Sequence, residues 1–333
     1  MKIKNYIIRL SLAILSLGFI ASVPVGAQSS GAAQGLQISP ALVELNAVRG
    51  GTYTIKLNVM NVTAADLVYT SSVEDFTAAG ETGSPHIVQN SKLPATASIR
   101  TWISTVLKFD LGSHQAKDII ATIKIPNNAE PGGHYGVLSF SGETPEVEGT
   151  GVGLSASAGA LILIRVDGVI KEQAELSSFY TSLNGKQSSF FENGPVTFIT
   201  RIQNQGNIHI KPFGNIEVRD MFGGLVENMK VNDSKSNVLP NSIRRFETSL
   251  NKPWMVGLYT ANLTMGYGTT GQAITNTITF WVIPYKIVLA VLFILITFIY
   301  ILTRLVKVYN RRIIEKSKNE TKTKVKNKNA NKS

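Results

Sequence analysis

The chain contains no cysteine. That excludes disulfide cross-links, thiol nucleophiles of the sortase type and Cys-ligated zinc. Histidine is also scarce. His86, His114, His134 and His209 are scattered singly, and none has the His-x-x-x-His or His-Glu-x-x-His spacing that places two imidazoles on one helix face. Gly-x-Ser-x-Gly and the phosphate-cradling Gly-x-x-x-x-Gly-Lys are both missing. Gly149-Thr-Gly-Val-Gly153 has neither the lysine nor a helix after it. Glu74-Asp75 and the glutamates at 143, 146 and 148 supply acids, but without the spacing of paired catalytic carboxylates. The absences predict no catalytic residues, no metal, no cofactor and no enzyme activity.

Charge is uneven. Lysine and arginine number 33 against 22 acids, a formal +11, yet the excess sits at the two ends, in Lys2, Lys4 and Arg9 and in the segment after Arg304. The stretch between is close to neutral, so the basic balance predicts no nucleic-acid partner.

Only one hydrophobic run is long. Residues 287–303 carry no charge, and as a helix rising 1.5 Å per residue they reach about 26 Å, close to one hydrocarbon core. Lys286 and Arg304 bracket the run, with Trp281 and Tyr285 placed as interfacial anchors. The spacing predicts a transmembrane helix over 286–306. Residues 307–333 are rich in lysine and poor in apolar side chains, a composition expected to stay disordered. Lys/Arg excess beside a span marks the cytoplasmic side. At the other end, a basic start, an apolar stretch from Leu10 to Ala21 and the small residues Val25-Gly26-Ala27 predict a signal peptide over 1–27, cleaved between Ala27 and Gln28. The mature protein is thus expected to be single-pass, with its N-terminal domains outside and its tail inside.

Residues 28–285 are dominated by a period of two. Tyr53, Ile55, Leu57 and Val59 alternate with polar neighbours, as do Ile119, Ala121, Ile123 and Ile125, then Val196, Phe198, Thr200 and Ile202, and later Ile274, Ile278, Phe280 and Val282. Each pattern is that of a half-buried strand. Residues 99–107 read as another strand, 85–94 as a polar connection, and 142–159 as the most loop-like stretch. Ala160-Leu-Ile-Leu-Ile-Arg-Val166 is a buried strand, too short to span. The expected architecture is all-β, with two tandem immunoglobulin-like sandwiches over 28–170 and 171–285.

The halves share a design. In each, a strand ends on an asparagine that opens a polar turn, Asn61-Val-Thr-Ala-Ala65 and Asn204-Gln-Gly-Asn207. In each, a late strand begins Gly-x-Tyr, Gly133-His-Tyr135 and Gly257-Leu-Tyr259, where such sandwiches place a tyrosine corner.

Ile38-Ser-Pro-Ala41, the strand ending at Asn61, Trp102, Ile123-Lys-Ile-Pro126 and Pro131-Gly-Gly-His-Tyr-Gly-Val137 resemble the N-terminal domain of the WxL-interacting surface proteins. Asn204-Gln-Gly-Asn-Ile-His209, Val238-Leu-Pro240, Gly257-Leu-Tyr259 and Phe280-Trp-Val-Ile-Pro284 resemble their second domain. The resemblance implies a bacterial cell-surface protein that contacts peptidoglycan and a WxL-type partner. Trp102, His134 and Tyr135 are the candidate ligand-binding residues, each also suited to a core or corner role. Three function classes follow: a non-catalytic adhesion or scaffold protein, an assembly factor that holds an exported chain by strand addition, and a signal receptor, for which a short tail leaves no output domain.

Overall fold

A computed structural model of the protein describes residues 35–89, 91–143 and 157–330. The expected signal peptide and its Ala27–Gln28 cleavage site lie outside the described residues, as does most of the loop-like stretch 142–159.

Alternation produces the strands. In Thr52–Asn61 the side chains of Ile55, Leu57 and Val59 are buried while Thr54, Lys56 and Asn58 face solvent. The first sandwich pairs β1 (Leu36–Ser39), β3 (Thr52–Asn61), β8 (Ala116–Lys124) and β6 (Ile103–Thr105) in one sheet. Its second sheet runs β2 (Leu42–Ala47), β10 (Ser157–Val166), β9 (Gly132–Gly142), β4 (Leu67–Ala79) and β5 (Ser84–Val88), with β7 (Lys108–Leu111) also on β4. Leu57, Trp102, Ile123, Leu138, Phe140 and Ile162 fill the space between the sheets.

The second sandwich is built alike. One sheet runs β12 (Lys186–Gln187), β11 (Ala174–Leu183), β14 (Val196–Asn204) and β17 (Ile243–Leu250). The other runs β13 (Phe190–Phe191), β19 (Gln272–Val282), β18 (Gly257–Tyr267), β15 (Phe213–Asp220) and β16 (Leu225–Val231). Phe280 is fully buried here and packs against the rings of Phe191, Phe198 and Tyr259 at 6.0, 5.6 and 5.5 Å. The architecture is all-β with two tandem sandwiches, followed by one helix, α1 (Tyr285–Ala330), whose Tyr285–Arg311 portion is long and apolar enough to cross a membrane.

Three expectations need correction. Residues 85–94 are not only a connection: β5 folds back on β4 in a hairpin. Residues 99–107 are not one strand, because the Asp75 carboxylate accepts bonds from the Ser98 hydroxyl (2.6 Å) and the Ile99 amide (3.0 Å) and Ile99–Thr101 turns as a 3-10 helix before β6. The tail is helical through Ala330 rather than coil. It lacks glycine and proline, and it extends a helix already nucleated by the apolar run, so each added residue avoids the cost of starting one.

The asparagine repeat is structural. Asn61 and Asn204 are both fully buried. The Asn61 amide donates to the carbonyls of Ala65, Leu111 and Gly112, and its oxygen accepts from Thr63 N. The Asn204 amide donates to Ile208 O at 2.7 Å and Val238 O at 2.8 Å, and its oxygen accepts from Gly206 N. Each amide stitches a turn to a distant loop.

The sandwiches meet through polar contacts. Gly133 N donates to Asn207 O at 2.8 Å, and His209 N donates to the Tyr135 hydroxyl at 2.8 Å. Gly132 has φ +122°, and a Cβ there would lie 2.6 Å from Asn207 O, so the glycine allows the second sandwich to come this close. Glu44 of β2 receives Lys211 Nζ at 2.5 Å and Asn237 Nδ2 at 2.9 Å. The β4–β5 hairpin reaches across as well: the Arg201 guanidinium grips both oxygens of Glu81, and Arg245 N donates to Glu81 O at 2.8 Å.

Two predictions follow from this packing. Asn204→Ala strands two buried carbonyls and an amide, each worth about 1–3 kcal/mol, so urea unfolding of the full chain in detergent should show a loss of at least about 2 kcal/mol. The joint should also loosen in acid. Burial pulls the His209 imidazole down to about 4, with Lys211 and Arg165 helping and Glu44 opposing. For Glu44, burial pushes upward, but the bonds from Lys211 and Asn237 outweigh it and hold the carboxyl below its ordinary value. Both groups therefore bind protons less readily joined than apart, and stability present at neutral pH is lost as the pH falls from the ordinary histidine value of 6.5 towards 4. Hydrogen exchange, corrected for its intrinsic pH dependence, should show the Gly133 and His209 amides losing protection in that window before the amides of β14 do.

Candidate functional site

Of the three candidate ligand residues, Trp102 and His134 are buried and Tyr135 is half-buried. Trp102 is 2% exposed and its indole N–H donates to Ala95 O at 2.6 Å. The His134 ring packs 4.5 Å from it, with both ring nitrogens 2.8 Å from backbone carbonyls, Ala97 O and Glu130 O. Tyr135 lies in the joint, and burial raises its hydroxyl above the ordinary tyrosine value while the bond from His209 opposes the shift. None of the three offers a free aromatic face. The two Gly-x-Tyr motifs also diverge. Tyr259 is a local corner, its hydroxyl bonded to Val256 N and O at 3.0 and 3.2 Å, whereas Tyr135 bonds to the other sandwich. His134 and Tyr135 do border a cleft of about 730 Å³ between the sandwiches, with Phe76, Leu93 and Leu239 on its other walls.

Of the expected interfacial anchors, Trp281, Tyr285 and Lys286 lie together where α1 leaves the second sandwich, and Arg304 lies 19 residues beyond Tyr285 along the helix. Trp281 and Tyr285 are nearly half exposed. Lys286 bonds to Glu192 at 2.9 Å. Arg304 sits 5.8 Å over the Tyr300 ring. Among the described residues, no group of three or more acids and histidines is placed to hold a metal ion.

The feature that sequence reading missed is an open sheet edge. β18 pairs with β19 along its whole length, but on the far side β13 covers only Trp281 and Val282. Trp281 N donates to Ser189 O and Ile283 N to Phe191 O. Strand alternation therefore points the backbone of Ala273, Thr275, Thr277 and Thr279 outward on the same side, and all four residues are exposed. Their outward N–H and C=O groups have no backbone partner among the described residues. The strand from Gln272 to Phe280 contains no charged residue and no proline.

Two other edges of this sandwich are guarded. β17 carries Arg244, Arg245 and Glu247 and has already bonded Glu81, and β16 carries Glu227 and Lys230. Charge on an edge is how sheets resist unplanned pairing. β19 has no such guard. Beside it lies the neighbouring sheet's β11, whose edge is paired by β12 only at Ser182 and Leu183. Between the two strands is a groove of about 530 Å³ lined by Phe179, Tyr180, Phe190, Ile278 and Thr279 among others. An extended segment laid along β19 would turn every second side chain towards β11, and those near Ile278 and Thr279 would lie over that groove. The sequence signal was the charge-free threonine alternation Thr275, Thr277, Thr279, which also fits an ordinary solvent face.

No protein-family model matches the chain. No curated protein matches it either, so the resemblance to the WxL-interacting surface proteins gains no support from these two comparisons. Among solved structures, the chain is similar to a class 5 fimbriae chaperone, CfaA, at 14% identity and a TM-score of 0.37, covering 73% of this chain and 98% of that one. It is similar to the E. coli chaperone DraB at 14% identity and a TM-score of 0.35, covering 74% and 96%, and to the Pseudomonas aeruginosa CupB2 chaperone at 12% and 0.33, covering 74% and 100%. Likenesses at these scores carry no argument about a partner.

Proposed function

We propose that this is a non-catalytic, membrane-anchored binding protein that holds another exported polypeptide by adding one of its extended segments to the edge of β19. The unguarded edge is the observation that carries this reading. The sandwiches stand outside the membrane and the lysine-rich end inside, an orientation that rests on the Lys/Arg excess after the span.

Magnitudes narrow the partner. Each outward backbone group of β19 gains only about 0.5–1.5 kcal/mol net from a hydrogen bond. Ordering a flexible peptide costs about 1–2 kcal/mol per residue. Main-chain bonds alone leave such a segment unbound, so the groove beside Phe179, Tyr180 and Ile278 must supply apolar burial. The expected ligand is a segment with apolar residues at alternate positions, its other residues facing solvent. Adhesion to peptidoglycan, the other role implied by the family resemblance, needs a glycan surface separate from this edge.

The test uses the full chain in detergent as bait for secreted proteins of its own cell. Thr277→Pro removes one outward N–H, at a position where an edge strand tolerates proline. It should reduce capture at least tenfold while changing the melting temperature little, and Thr277→Val should capture normally. Undiminished capture by Thr277→Pro, or recovery of wall fragments alone, would count against strand addition.

A further inference from the structure

The exposed apolar residues of the second sandwich are not scattered. Leu183, Phe190, Met221, Phe222, Leu225, Trp254, Val256 and Trp281 all lie at one end, and Phe213 is the single exception among its exposed large apolar residues. Strand pairing fixes which end this is. Gly257 is opposite Val282, and Asp220 is opposite Tyr259. The turn 220–224, the loop 251–256 and the stub β13 therefore sit beside the last residues of β19. Two residues later α1 begins.

Contacts tie these loops to the start of the helix. Lys286 bonds to Glu192, Gly194 N donates to Pro253 O at 3.4 Å, and Trp254 is the next residue. Gly257 has φ +117°, and a Cβ built there would come within 2.3 Å of Met221 Cε, so the 220–224 turn lies directly against the start of β18. Phe222 is 90% exposed and Trp254 81%. Side chains of this size at such exposure are unusual on a soluble surface, and clustered they mark an interaction site. The exposed Lys186, in the β11–β12 hairpin, is at the same end.

We infer that this end of the second sandwich is a membrane-docking collar: Met221, Phe222, Trp254 and Val256, continuous with Trp281 and Tyr285, dip into the headgroup layer of the leaflet that α1 enters. The inference rests on the reading of Tyr285–Arg311 as a span. Continuity decides the occupant. A helix that enters the bilayer at Tyr285 brings the 192–194 loop, ion-paired to its first turn, and the loops packed beside it down to the headgroups, where tryptophan and phenylalanine are favoured and lysine meets anionic lipid. The collar makes the sandwich a seated body with a set orientation to the bilayer.

The natural absence of cysteine makes the test direct. Four single variants of the full chain, Phe222→Cys, Trp254→Cys, Thr270→Cys and Leu295→Cys, are each labelled with a polarity-sensitive fluorophore and placed in nanodiscs of phosphatidylcholine and phosphatidylglycerol. Thr270 lies in the turn at the far end of β18, about 35 Å away by strand rise. Labels at 222 and 254 should shift to the blue and be quenched several-fold more than the label at 270 by lipid carrying a headgroup-level nitroxide. A label at 295 should be quenched by a nitroxide deep in the acyl chains. If 295 is lipid-quenched while 222 and 254 behave like 270, the span stands and the collar is refuted, the result expected if the patch instead serves a protein. A water-exposed label at 295 would overturn the span and the collar with it.

Discussion

Every buried or edge backbone group in a β sandwich needs a partner, and this chain must meet that demand without a covalent cross-link. The amides of Asn61 and Asn204 meet it at matching places. Each fills the carbonyls of a turn and of a loop far along the chain, a task that water cannot perform at full burial. Around these two points the cores are free to be apolar, and both are.

The same accounting separates scaffold from site. Glu81 satisfies Arg245 N on β17, Asn207 satisfies Gly133 N on β9, and the Tyr135 hydroxyl satisfies His209 N. These contacts turn two sandwiches into one joined body. The accounting stays open along β19, where four residues turn their backbone outward with no charge to discourage a visitor. In the function proposed above, this open edge is the place where another chain adds a strand.

Much of this was legible from residues alone. The period of two gave the strands, because a half-buried strand writes its two faces directly into the sequence. The uncharged run gave the helix, and the asparagine repeat was visible as a pattern. What escaped depended on contacts between distant residues. Nothing local distinguishes Gly133-His-Tyr135 from Gly257-Leu-Tyr259, yet one tyrosine closes its own corner and the other bonds across the joint. Asp75 pulls Ser98 and Ile99 into a tight turn from 23 and 24 residues away, which no window of neighbours reveals. The open edge was hidden for the same reason: a strand is unpaired only relative to partners elsewhere in the fold.

The arrangement of β19 also has a mechanical side. Only Ile283 and Pro284 separate it from α1, so under the proposed function tension on a segment held along this strand would pass into the helix without crossing a long loop. The hydrogen bonds between β19 and such a segment would meet that pull in shear, loaded side by side. Under the proposed function, a grip built this way would stay attached while its cargo is tugged.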